Sequence, residues 1–441
     1  MTVTPRSSVP GIAWPALPDP RTAMLLALGW QLDRSQWWTE ADLRAHQREQ
    51  LAVLLAHAAT TVPAYRGLDP RAWDRVPILE REALIAAGDA MLSKGYPAAH
   101  GPVDEVTTSR TSGTPVRVRA SGIVSTFWHA LTLREHVWHV RDLAAHLAVI
   151  RHVDTPAPAP DGLRLRGWGA ATAALAPDAP LSVLSVTTTT DEQLAWLAHV
   201  APDYLLVYPS VLDAILRRMA ATGAKLPSVR GVRTISEVLA PATRALCTEV
   251  LGVPIVDTYS AQEVGYIALQ CPDHPHYHVQ SERLLVEILD ERGAPCAVGE
   301  TGRVVITDLH NFATPLLRYA IGDYATVGAP CPCGRGLPVL TRIIGRRRNM
   351  LTYPDGRTVW PVFTVACRQA ARYREIQLVQ PTRESLRLRV VPEGALAADA
   401  PAALTAALQR VFDHPFAVEI EIVDALARSP VGKLEEFVSL V

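Results

Sequence analysis

The sequence predicts an α/β protein in which a large N-terminal unit, built on mostly parallel sheet, is followed by a small α+β unit at the C-terminus. Three observations carry that expectation. Short apolar runs at Leu147–Val153, Leu181–Val186, Tyr204–Tyr208, Val229–Ile235 and Pro254–Val256 read as buried strands. Amphipathic stretches, such as Asp191–Val200 and Pro209–Ala220, fall between them and set up βαβ units. After Ser281 the rhythm changes to strand and turn, and beyond Arg346–Asn349 a separate set of runs begins.

Residues 1–20 are Pro-rich and read as a loose arm, with Trp14 and Trp30 positioned to tack it to the body. From Thr39, leucines at 43, 51, 54 and 55 repeat at helical spacing, and Thr39 with Asp42 can cap the start. Pro63 ends that helix. Leu284–Leu289 and Arg303–Thr307 read as a hairpin-like pair around the turn Asp290–Gly293. Ile376–Val379, Leu386–Val391, a helix over 400–411 and Val418–Val423 compose the C-terminal unit. The expected division is 1–346 and 347–441.

Composition narrows the function. The 441 residues suffice for two domains, and 49% hydrophobic against 20% charged is an ordinary globular balance. With 43 basic and 44 acidic side chains, mostly dispersed, nothing points to a nucleic-acid or anionic-membrane partner. The start lacks a basic head and apolar core, and no apolar stretch is long enough to span a bilayer, so a cytoplasmic location is expected. Six cysteines do not make a disulfide scaffold.

Four segments carry candidate chemistry. Thr107–Arg119 gathers hydroxyls (Ser109, Thr111, Ser112) around Gly113 and Pro115, the combination of hydroxyl and backbone N–H groups that polyphosphate requires. Asp257–Gly265 follows an apolar run, where parallel sheets bind ligands. In it Tyr259 can stack on a base and Glu263 can hold magnesium. Pro315–Asp323 ends in an Asp after a Gly that can accept two ribose hydroxyls. Ser429–Lys433 sets a Lys in a Gly turn, suited to neutralising charge on a carboxylate–phosphate transition state.

Together, in this order, these segments resemble the adenylate-forming superfamily of acyl-CoA synthetases and related ligases, from about residue 40 to the C-terminus. The likeness is strongest to the phenylacetate–CoA ligase branch with its capsule-biosynthesis-type and coenzyme F390 synthetase-type relatives. Gly113-Thr114-Pro115 matches the end of the family's phosphate loop, and Ile235-Ser236-Glu237 lines up with its adenine-side loop. Tyr259-Ser260-Ala261-Gln262-Glu263 matches Tyr-Gly-x-x-Glu, with Asp257 and Thr258 just before it. Asp323 falls on the ribose-binding Asp, Gly345-Arg346 on the pair that opens the hinge, and Lys433 on the catalytic Lys of the mobile C-terminal domain. CPCGR at Cys331–Arg335 and RIIGR at Arg342–Arg346 are close to this branch. Arg110 replaces a usual Gly of the phosphate loop. Arg348 stands at the hinge in place of Asp or Lys, followed by Asn349.

The resemblance implies a two-step reaction: a carboxylate attacks the α-phosphate of ATP with Mg²⁺, giving acyl-AMP, and the acyl group passes to an acceptor. CoA is the acceptor in most of the family; an amine or a carrier protein serves in some relatives. Relatives are often homodimers. A scaffold that keeps the fold without chemistry is the alternative of another class. The acid pocket implied by the resemblance involves Tyr208, Pro209 and Ser210 at a strand end, with Phe127 and Trp128 after the phosphate loop. Finally, Cys271, Cys331 and Cys333 with one imidazole can close a structural zinc site. His278 is the favoured fourth ligand because the next extended run begins at Val279, and His276 is the second choice.

Overall fold

The structure, a computed structural model, describes residues 5–107, 116–153, 155, 157–346, 350–359, 361, 363–427, 434 and 436–441, the side chains of Arg346 and Val365 excepted. Among these residues a twelve-stranded mixed sheet forms the body. The alternating half of the sequence builds its parallel part. Pro180–Ser185, Leu147–Arg151, Tyr204–Val207, Gly231–Ile235 and Ile255–Ala261 lie side by side in that order. Leu163–Arg166 closes this edge antiparallel to Pro180–Ser185.

Each crossover helix has local reasons to start and stop. Thr190–Val200 begins with a reciprocal capping box between Thr189 and Glu192. Pro209–Thr222 starts on a proline and stops at Gly223, whose positive φ no larger residue adopts cheaply. Their buried leucines and Trp196 pack with the strands into one apolar core.

Past Ala261 the sheet turns antiparallel, through Gly265–Gln270, Tyr277–Val279, Val339–Arg346, Tyr319–Val327, Thr301–Asp308 and Leu284–Leu289. The hairpin-like pair expected around Asp290–Gly293 is present, with Leu284 opposite Asp308 and Leu289 opposite Arg303. Val103–Thr107 and Arg117–Ser121 form a separate two-stranded ribbon in which Thr107 pairs with Arg117. The Ser/Thr-Gly segment therefore joins two paired strands. Residues 108–115 themselves lie outside the described residues.

The C-terminal residues have a sheet and core of their own. Strands Ala417–Ile422, Ser385–Pro392, Tyr373–Thr382 and Phe437–Ser439 pack against helices Thr364–Ala370 and Ala400–Phe412. Arg368 of this unit bonds Asp213 of helix Pro209–Thr222 across the gap to the body, at 3.1 Å.

The N-terminus departs from expectation. Pro20–Ser35 is a helix capped by Asp19, which the Pro-rich arm before it had obscured. Trp14 is 83% exposed and Trp30 is 58% exposed, so neither tacks the arm to the body. Trp30 instead lies flat under its own helical neighbour Arg34, and Leu25 and Leu32 make the buried contacts. Among the described residues no helix is long and apolar enough to cross a membrane.

Candidate active site and metal cluster

The carboxyl ends of the parallel strands face one pole of the sheet, where α/β folds bind ligands. Tyr259 lies near the end of strand Ile255–Ala261 with its ring buried, and its hydroxyl donates to Oδ2 of Asp323 at 2.9 Å. Two motifs separated by 64 residues thus meet in one hydrogen bond. Asp323 follows Gly322, whose φ of +87° lets strand Tyr319–Val327 bend at this point. Its Cα pairs with that of Arg346, so the start of the expected hinge lies beside the expected ribose site.

Glu263 sits in the turn between Ile255–Ala261 and Gly265–Gln270, its side chain 3% exposed. Nη1 of Arg81 lies 3.5 Å from its Oε1. Nothing in the stretch VPILEREALI distinguishes Arg81 from an ordinary helix-start Arg, so sequence reasoning passed it over.

Asp257 has a different setting. It is fully enclosed, accepting from Thr234 at 2.6 Å and from Tyr277 at 2.7 Å, while its N–H donates to Gln270 at 2.9 Å. Burial raises its carboxyl above the usual range despite these bonds. Both oxygens serve the sheet interior. Next to it Thr258 is buried, and its Oγ1 has no hydrogen-bond partner among the described residues. Ser260 is half-buried at the strand's end.

The adenine-side loop and the Pro-Ser turn meet directly. Glu237 accepts the backbone N–H of Ser210 at 2.9 Å, which satisfies an orphan donor in the first turn of helix Pro209–Thr222. The Ser210 Oγ is buried without a partner among the described residues. Tyr208, just before Pro209, is buried, and its hydroxyl accepts from the N–H of His152 at 3.3 Å.

Phe127 and Trp128 share helix Gly122–Trp138 but face different ways. Phe127 is buried against His310, ring centroids 4.3 Å apart, and under the guanidinium of Arg283. Arg283 is itself wholly buried and paired with Asp308 at 2.9 Å. Trp128 stays 38% exposed and stacks on Tyr266 at 4.3 Å with an interplanar angle of 20°. Gly265 allows this: its φ is +80°, and a Cβ there would lie 3.1 Å from the indole. Trp128 therefore borders the Glu263 turn, and Phe127 belongs to the packing beneath.

A buried charge knot underlies these elements. Glu135, fully enclosed, accepts from Arg141 at 2.6 Å and faces Arg233 at 3.2 Å, and Arg233 also donates to the Tyr266 hydroxyl at 2.9 Å. Despite the burial that opposes it, the two guanidiniums hold the Glu135 carboxyl well below the usual range. Burial pushes His136 down to about 3. The knot ties helix Gly122–Trp138 to strand Gly231–Ile235, which feeds the Glu237 loop. None of its members stands out in sequence, because they come from three distant segments.

The cysteine segments converge as well. Donor atoms of Cys271, His276, His278 and Cys331 all lie within 4.8 Å of one another, and Cys333 joins Cys271 in a second such group. At Zn–S and Zn–N bonds of about 2.3 and 2.0 Å, a tetrahedron has S···S edges of about 3.8 Å and N···S edges of about 3.5 Å. Sγ of Cys271 and Cys331 are 3.8 Å apart, and Sγ of Cys333 is 3.5 Å from Nε2 of His278. Nε2 of His276 lies only 2.9 Å from Sγ of Cys331, shorter than such an edge. His278 donates from Nδ1 to the Leu337 carbonyl at 3.3 Å, which turns Nε2 toward the thiols. The residues present fit a tetrahedral metal, with two thiols and two imidazoles in the compact group and Cys333 beside it.

Ser109, Thr111, Ser112, Gly113, Arg110, Arg348 and Lys433 lie outside the described residues, as does the side chain of Arg346.

No family model matches the chain. Phenylacetate–coenzyme A ligase from Thermus thermophilus is 26% identical over 345 residues, covering 72% of this chain and 73% of the relative. Among solved structures, 2-hydroxyisobutyryl-CoA ligase in the postadenylation state with 2-HIB-AMP superposes at a TM-score of 0.71. Identity there is 19%, over 92% of this chain and 91% of that one. The same ligase in its thioesterification state, with 2-HIB-AMP and CoA, gives 0.58 over the same shares. An anthranilate–CoA ligase with anthranoyl-AMP gives 0.54 at 18% identity, over 76% of this chain and 66% of that one. These likenesses establish the fold.

Proposed function

We propose that this chain, a member of the adenylate-forming ligase superfamily, activates a carboxylic acid with ATP as acyl-AMP and passes the acyl group to CoA. The observation that carries the proposal is the Tyr259–Asp323 hydrogen bond. It joins the ring expected to stack on the base, near the end of a parallel strand, to the carboxylate expected to take the ribose, with Glu263 in the turn that follows Tyr259. At the same end of the parallel strands, two buried hydroxyls, those of Thr258 and Ser210, have no partner among the described residues. Buried polar groups are normally satisfied, so these fit hydrogen bonds to a ligand. The relatives in the comparison carry the same activity in their names, as aryl- or acyl-CoA ligases.

Within this reading Tyr259 lies against the adenine, Asp323 takes the ribose hydroxyls, and Glu237 secures the loop on the adenine side. Glu263 would hold magnesium, which stabilises charge on the phosphates when bound. Lys433, from the C-terminal unit, would neutralise the carboxylate–phosphate transition state. Rotation about Arg348, between residues 1–346 and 347–441, would then withdraw Lys433 and admit CoA. The acid would lie between Trp128 and the Tyr208–Ser210 turn. Zinc held by Cys271, Cys331, Cys333 and His278 would be structural, stapling the strand after Glu263 to the loop that follows Tyr319–Val327.

Pyrophosphate release tests this reading, with a panel of aryl and small aliphatic acids and with or without CoA. Release that requires an acid, with thioester appearing only when CoA is present, is expected. Folded protein that releases none with any acid overturns it.

A further inference from the structure

The cysteine–histidine cluster is tied to the N-terminal helix through one side chain outside its ligand set. We infer that Arg335 is a positioning residue that makes the docking of the C-terminal end of helix Pro20–Ser35 depend on a metal ion held by the cluster, a role that rests on the metal reading above.

The segment between strands Tyr319–Val327 and Val339–Arg346 carries Cys331 and Cys333. It has no strand or helix of its own, and the Gly334 N–H closes its turn on the Cys331 carbonyl at 3.2 Å. Two anchors shape it. At one end its thiols converge on Cys271, His276 and His278. At the other, the Gly336 N–H donates to the Gln36 carbonyl at 2.9 Å. Gly336 approaches so closely that a Cβ there would lie 1.7 Å from the Trp38 carbonyl oxygen.

Arg335 lies between the two anchors, with its side chain 10% exposed. Its guanidinium lies over the rings of both Trp37 and Trp138, 4.7 Å from each centroid. Nε donates to Oε1 of Gln36, the C-cap of the helix, at 2.9 Å. Nη1 lies 3.7 Å from Asp273, two residues from Cys271. One guanidinium thus touches the helix end and the other cysteine segment. Trp138 joins the same contacts. Its Nε1 donates to the same Gln36 oxygen at 2.9 Å, and its ring meets His278 edge-on at 5.7 Å. Trp138 ends helix Gly122–Trp138, which carries Phe127 and Trp128.

A short loop without a ladder of its own loses its shape when the ion that gathers its thiols leaves, because metal binding and local folding are coupled. Arg335 then leaves Gln36 and the two rings, and its charged hydrogen bond and cation–π contacts are lost together. The rest of the helix has other anchors. Leu25 and Leu32 pack in a buried cluster, and Ser35 donates to Glu282 at 2.7 Å. The effect therefore falls on the helix end, where the N–H groups of Gln36, Trp37 and Trp38 bond back to Leu32, Arg34 and Ser35.

Amide hydrogen exchange of the full chain, loaded with zinc or stripped by a chelator, tests this in wild type, Arg335→Gln and Arg335→Lys, with metal content read by mass spectrometry. Stripping the wild type should speed exchange over residues 30–39 about 10- to 100-fold, while strand Tyr204–Val207 changes less than about 3-fold. Arg335→Gln should keep its zinc yet exchange fast there already, and stripping it should add less than about 3-fold. Arg335→Lys, which keeps the charge but not the planar fork, should fall between. Unchanged exchange over residues 30–39 in stripped wild type, the same added effect of stripping in wild type and Arg335→Gln, or loss of protection throughout the chain overturns the inference. If the wild type takes up no zinc, the metal reading falls first and this inference with it.

Discussion

Replacing Tyr259 with Phe removes one oxygen atom and leaves the ring in the buried cluster it shares with Val264, Ile267, Ala268 and Tyr277. The change removes the 2.9 Å bond to Asp323. A hydrogen bond to a charged group contributes roughly 1.5–3 kcal/mol when well buried. Asp323 is only half-buried, which lowers the figure to about 1–2 kcal/mol. That corresponds to roughly 5- to 30-fold in a binding constant. A carboxylate offers about four acceptor sites, so the Tyr259 bond orients Asp323 without exhausting it. The penalty should therefore appear in how Asp323 meets ribose. Calorimetric titration of Tyr259→Phe with ATP is expected to show the 5- to 30-fold loss. With 2′,3′-dideoxy-ATP, which lacks the hydroxyls that Asp323 would accept, wild type and variant should bind nearly alike. Equal affinity of both proteins for ATP would refute the reasoning. So would the same loss for both nucleotides, since Asp323 would then not be the ribose contact.

Other consequences can be measured on the same protein. Wild-type chain is expected to carry one zinc by mass spectrometry; Cys331→Ser should lose most of it and His276→Ala should keep it, and retention by the Cys variant would discard the proposed ligand set. Arg368→Ala removes a partly exposed ion pair to Asp213, whose other partner Arg217 at 2.6 Å remains. Such a pair contributes about 0.5–1 kcal/mol, so the balance between adenylation and thioester formation should shift about 2- to 5-fold, and unchanged half-reaction rates would show that the contact does not bias the C-terminal unit. Finally, burial holds His136 at about 3, and His139 and His310 at about 4, all below the ordinary value. The unfolded chain then binds more protons between about pH 4 and 6.5, so stability should fall as pH drops through that window. Thermal unfolding that is flat between pH 7 and 4 would contradict this.

How much could be read in advance depended on whether the signal was local. The parallel strands from Leu147 to Ala261 were visible because buried strands and amphipathic helices each write their own period into the chain. The hairpin around Asp290–Gly293 was visible because a turn must carry turn residues. The helix Pro20–Ser35 was missed because its buried face is narrow, with Leu25, Leu32 and Ser35 inside and its own Trp30 left to solvent. Strands Gly265–Gln270 and Tyr277–Val279 were missed because both their faces are covered, which removes the alternation that marks a half-exposed strand.

The site divides the same way. Tyr259, Glu263 and Asp323 belong to motifs and could be named from residue order. Arg81 beside Glu263 could not, because contact between residues so far apart in the chain leaves no local trace. Asp257 shows the cost of reading a motif as a block. It lies two residues from Tyr259, yet Thr234, Tyr277 and Gln270 claim it for the sheet interior. The charge knot of Glu135, Arg141 and Arg233 extends the point to energetics. Removing one member of a buried ion pair leaves the other charge stranded, typically at a cost of about 3–5 kcal/mol. Arg233 holds Glu135 with one part of its guanidinium and the Tyr266 hydroxyl with another, and Tyr266 carries Trp128 on its face. The position of an exposed indole beside Glu263 is thus tied, through Tyr266 and Arg233, to a fully buried carboxylate.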